Sequence, residues 1–83
     1  MKKIRLKDFN EEMGIFIDLE VKDENAFKYK NEINISYEKL IVEHKELLNK
    51  DCKYYIYCQG GQRSKKAVNL LEFYGYDVTL VYK

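Results

Sequence analysis

The residues best suited to chemistry lie together in the run Cys58-Gln59-Gly60-Gly61-Gln62-Arg63-Ser64. A cysteine is a nucleophile chiefly as its thiolate. Adjacent glycines let backbone N–H groups turn inward toward one point. The residues before the cysteine, Tyr54-Tyr55-Ile56-Tyr57, are aromatic and β-branched, as in a buried strand. Beyond it, Ser64 to Tyr74 carries apolar groups at 67, 68, 70, 71 and 74, a helical stripe. Gly75 then stands where a helix end needs positive φ. The segment predicts strand, tight loop, helix, with the thiol facing loop N–H groups and a helix N-terminus. Both favour the ionised thiol. Arg63 is one of only two arginines, against thirteen lysines, so its place in this loop is informative.

Other elements must hold this loop in place. Ile4-Arg5-Leu6 predicts a first short strand, and Lys7 to Met13 a polar connection with room for one helical turn. Ile15 to Leu19 is an apolar strand with Asp18 near its end, an acid placed to cap the next turn through backbone N–H groups. Lys22 to Lys30 predicts a short helix, and Ile33-Asn34-Ile35 another strand. Ser36 is a good N-cap for a helix that puts Tyr37, Leu40, Ile41, His44, Leu47 and Leu48 on one face. His44, the single histidine, lies on that stripe and reads as a packed residue rather than a base. Tyr76 to Val81 is the last strand. Lys65 and Lys66 read first as a solvated helix face, although both add positive charge at the exit of the loop. Strands alternating with helices predict an α/β fold, a small parallel sheet flanked by helices. In such sheets ligands bind beyond the carboxyl ends of the central strands, where Cys58 would sit.

The 83 residues predict a single domain, 1–83, with a modest core. A net charge of +1 gives no basic excess to recruit nucleic acid. No apolar run approaches the roughly 20 residues of a membrane span. The start, Met1-Lys2-Lys3-Ile4-Arg5, lacks the apolar core of a signal peptide. A cytoplasmic location is expected, and abundant Lys, Ile, Asn and Tyr point to a bacterial source. Cys52 and Cys58 would be separated by about 20 Å of strand, whereas a disulfide needs Cα atoms within roughly 7 Å. Two cysteines without histidine partners make a poor zinc site. No metal, nucleotide or organic cofactor is expected.

Cys58, Gly61, Arg63 and Ser64 fall on the pattern Cys-x-x-Gly-x-Arg-Ser, and the loop resembles the active-site loop of single-domain rhodaneses, the sulfurtransferase family. Ile17-Asp18, Ile33-Asn34-Ile35 and Gly75-Tyr76-Asp77-Val78 are similar to other segments of that family. Ser36 stands in place of a usual proline, and three further features depart from the family. Glu20 stands where an arginine is usual, the stretch 28–32 is short and has neither proline nor glycine, and the chain stops at Lys83, where the family usually continues into a last helix.

The resemblance implies strand order 1-5-4-2-3 and a Cys58 that accepts a sulfane sulfur as a persulfide. It also implies substrate binding by Gln59, Gly60, Gly61, Gln62, Arg63 and Ser64, with Arg63 holding an anionic donor or orienting the loop, and supporting roles for Asp18 and Lys65. Four residues separate Cys58 from Arg63, one fewer than in phosphatases with a similar cradle, so the loop is sized for sulfur rather than phosphate. The implied partners are a small sulfur donor (thiosulfate or a persulfide), a thiol or cyanide acceptor, and a partner sulfur-carrier protein. A homodimer is expected because Val78, Leu80 and Ile4 would lack the cover of a last helix. The alternative reading is a binding or regulatory module of the same fold with little turnover.

Overall fold

The computed structural model describes residues 1–20 and 28–83. Most of the expected short helix over 22–30 therefore lies outside the described residues. Strands β1 (Lys2–Arg5), β2 (Ile15–Asp18), β3 (Ile33–Asn34), β4 (Lys53–Tyr57) and β5 (Asp77–Tyr82) are joined by helices α1 (Tyr37–Leu47) and α2 (Gln62–Phe73) and by a 3₁₀ turn, Leu6–Asp8. All pairings are parallel, in the order β1-β5-β4-β2-β3. That is the order implied by the resemblance, with β4 central. The first strand lies earlier than expected, because the backbone leaves the extended conformation at Leu6 and Phe9 N–H closes the 3₁₀ turn on Leu6 O.

Side-chain alternation divides the sheet into two faces. Tyr54, Ile56 and Cys58 share one face with Ile17, Val78 and Leu80, and pack under Leu40 of α1 and Ala67, Val68 and Leu71 of α2. The opposite face carries Phe16, Tyr57 and Val81, with Tyr55 and Ile4 beside them. Phe9 covers that face. Its ring lies 5.1 Å from Phe16, 5.0 Å from Tyr29 and 5.0 Å from Tyr55. The expectation that Val78 and Leu80 face water is therefore corrected. Val78 is fully buried and Leu80 nearly so, because both point at the helices, while Ile4 is half-buried against the cluster of Phe9, Phe16, Tyr57 and Val81.

The helix boundaries follow local chemistry. Ser36 Oγ accepts from Lys39 N–H at 3.2 Å and starts α1. Leu40, His44 and Leu48 are buried as the stripe predicts, while Leu47 turns out to solvent. The His44 ring stacks on Tyr74, with its Nδ1 3.1 Å from the Tyr76 hydroxyl, so it is a packed residue. At the end of α2, Gly75 has φ +94°. Its N–H reaches Glu72 O, and Tyr76 N–H reaches Leu71 O, which satisfies carbonyls that would otherwise be orphaned.

Phe9 holds the face opposite α1 and α2 together, so Phe9→Ala should lower stability by about 3–5 kcal/mol. Urea unfolding should show a lower midpoint with little change in slope.

Candidate active site

The carboxyl ends of β4, β2 and β3 are stitched together just before the loop. Leu19 N–H donates to Tyr57 O at 2.9 Å, and Ile35 N–H to Asp18 O at 3.1 Å. The Asn34 side-chain amide donates to Asp18 O at 3.0 Å and also to Glu20 O. Asp18 is buried, and its Oδ1 accepts from Glu20 N–H at 2.8 Å. That bond is the capping role expected of it. It turns the chain so that the Glu20 side chain reaches the cysteine loop.

Cys58 leaves β4 on the helical face and is 3% exposed. Its Sγ accepts from Gly61 N–H and from Ser64 N–H, each at 3.2 Å, and lies 3.3 Å from Ser64 Oγ. Gly61 is the residue that starts α2, at φ +83° and without a capping side chain. The sulfur thus takes the place of a cap, accepting from the first turn of the helix. Ser64 is fully buried, and its hydroxyl is also 3.2 Å from Gly61 O. In the thiol state Sγ–H donates to Ser64 Oγ, whose own proton goes to Gly61 O. In the thiolate state the hydroxyl turns and donates to sulfur.

These contacts set the ionisation of Cys58. Burial pushes the thiol pKa up, but the Ser64 hydroxyl and the N–H groups of Ser64, Gly61 and Arg63 outweigh it and bring the pKa below the ordinary thiol value. The N–H groups of Gly61, Arg63 and Ser64 therefore converge on sulfur. Gln59 does not. Its N–H turns away and donates to Glu20 Oε2 at 2.7 Å. The same oxygen accepts from Arg63 Nη2 at 2.6 Å. Arg63 is thus ion-paired at the outer rim of the loop, its side chain 46% exposed. Gly60 and Gln62 are exposed, and Lys65 and Lys66 are exposed on α2. A Cβ at Gly60 or Gly61 would meet nothing within 4 Å, so open space lies over the loop.

Glu20 is the residue that sequence reasoning missed. It counted there as the loss of a supporting cation, yet its carboxylate joins the first and last parts of the loop. The signal available was the charge reversal itself, which gives Arg63 a counter-charge. The Gln59 N–H and, against some desolvation, Arg63 hold the Glu20 carboxyl below its usual range. Beside this rim, on the face away from the helices, a cavity of about 270 Å³ is lined by Phe16, Tyr29, Tyr57, Asp18, Glu20 and Lys28 among others. Cys52 is half-buried, and both cysteines are free. Among the described residues no group of three or more His, Cys, Asp or Glu side chains is placed to hold a metal, and no helix is long and apolar enough to cross a membrane.

Alkylation of Cys58 should show a pH inflection below the free-thiol value of about 8.5, and Ser64→Ala should move it upward. The folded-state value is depressed, so ionisation stabilises the fold. That contribution is complete above the unfolded-state value and is lost as pH falls through the folded one. Stability measured against a Cys58→Ala variant should follow this sign.

Among solved structures the chain is similar to a rhodanese-related protein from Thermoplasma volcanium, with 26% identity and a TM-score of 0.79 over 99% of this chain and 84% of that one. It is also similar in fold to part of an NAD-dependent persulfide reductase from A. fulgidus, with 21% identity and a TM-score of 0.77, spanning 98% of this chain but 15% of that one. No curated protein sequence matches the chain. The family model for the rhodanese-like domain matches residues 5–83. With its sheet order and its cysteine loop, the chain belongs to the rhodanese-like domain family.

Proposed function

We propose that the protein is a sulfurtransferase or sulfur carrier that works through a Cys58 persulfide. One observation carries the reading: a buried thiol at a strand end whose sulfur accepts hydrogen bonds from Gly61 N–H and Ser64 N–H. The Cys58 thiolate attacks the outer sulfur of a donor. The donor's S–S bond breaks, and its electron pair leaves with sulfite or with a thiolate. The new S–S bond makes Cys58 a persulfide, and no net oxidation occurs. An acceptor thiolate or cyanide then attacks the outer sulfur and returns Cys58 as a thiolate. Inward N–H groups stabilise the anionic sulfur at both stages, a helix N-terminus being worth roughly 0.3–1 kcal/mol to an anion and up to about 2 when partly buried. Arg63 and Glu20 fix the loop from outside, Asp18 fixes Glu20, and Lys65 adds positive charge near the loop.

A second reading, a binding module with little turnover, is favoured by the near-complete burial of Cys58. Mass spectrometry separates the two. After donor treatment the intact protein should gain one sulfur atom. Cys58→Ser should abolish the gain, and Cys52→Ser should retain most of it. Equal loss in both variants would point to a two-cysteine relay, and no gain in the parent would favour the module. With cyanide as acceptor, turnover should yield thiocyanate.

A further inference from the structure

The Glu20 carboxylate contacts both Gln59 and Arg63, the residues that begin and close the loop after Cys58, at 2.7 and 2.6 Å. It does two things to an arriving donor. It occupies the Arg63 guanidinium, so the cation that would receive an anion is already paired. It also places a negative charge beside the open space over Gly60 and Gly61. Among the described residues, the adjoining cavity is lined by a second carboxylate, Asp18, by one ammonium, Lys28, and by the rings of Phe16, Tyr29 and Tyr57. Such a mouth is a poor receiver for a compact dianion. It is a better one for a donor of lower charge.

We infer that Glu20 sets donor choice, so that Cys58 takes its sulfur from the persulfide of an organic thiol in preference to thiosulfate. The inference rests on the sulfur-carriage reading above. With the organic donor, Cys58 thiolate attacks the outer sulfur, the donor's S–S bond breaks and the donor leaves as a thiolate that solvent protonates. With thiosulfate the leaving group is sulfite. The two reactions differ at this site chiefly in the charge brought to the rim. Glu20 is a specificity-determining residue here and touches no reacting atom.

The test compares Cys58 loading by cysteine persulfide and by thiosulfate, read as mass gain in quenched samples. The parent should load faster from cysteine persulfide. Glu20→Gln keeps the shape and the hydrogen-bonding capacity while removing the charge. It should shift the ratio of the two rates toward thiosulfate by about tenfold, through removed repulsion and a freed Arg63. Arg63→Gln, which leaves Glu20 unopposed, should shift the ratio the other way. If Glu20→Gln fails to fold, a salt titration of the parent serves instead, since screening should raise the thiosulfate rate relative to the persulfide rate. Loading from both donors at similar rates, or a ratio that neither Glu20→Gln nor salt moves, would overturn the inference while sulfur carriage stands. Loading from neither donor would overturn both.

Discussion

The site depends on hydrogen bonds into one sulfur atom. Gly61 and Ser64 aim their N–H groups at Cys58 Sγ, and the first turn of α2 is built around that acceptor. A helix start leaves donors without partners, which a side-chain oxygen ordinarily satisfies. Here the residue in the capping position is a glycine, and the acceptor comes from the preceding strand. Position and reactivity therefore have one cause. The groups that begin the helix are the groups that favour the thiolate, and burial alone would have pushed the thiol the other way.

A second layer lies outside the first. Neutral N–H dipoles surround the sulfur, while the formal charges, Glu20 and Arg63, meet at the solvent side of the loop. An exposed ion pair of this kind adds little to stability. Its larger effect is on the field that an approaching charge meets. The pair also ties β2 to the loop after β4, so the sheet and the rim are held by different kinds of interaction.

Much of this was legible in the sequence. Among the described residues, the Cys58 loop, the five strands and helices α1 and α2 follow from apolar periodicity, from Ser36 and Gly75 as helix ends, and from the glycine pair. His44 was readable as packed because it shares a stripe with Leu40 and Leu48. The direction of the Gln59 N–H was not readable, since it depends on a carboxylate 39 positions away in the chain. The cover over the second face was equally hidden. Phe9 sits in a polar stretch with no period, and only the parallel pairing of β2 and β4 shows that Phe16 and Tyr55 lie beneath it. Burial of Val78 and Leu80 followed from strand parity, which sequence alone leaves ambiguous by one residue.

Strand parity also separates two neighbours. Tyr57 belongs to the aromatic face and lines the cavity, while Cys58, the next residue, belongs to the helical face. The sheet is a partition at this point, with the nucleophile on one side and the wall of the nearby space on the other. None of Phe16, Tyr29 and Tyr57 supplies an atom that hydrogen-bonds to sulfur. The hydrogen bonds to sulfur and the wall of the cavity are thus carried by opposite faces of one sheet.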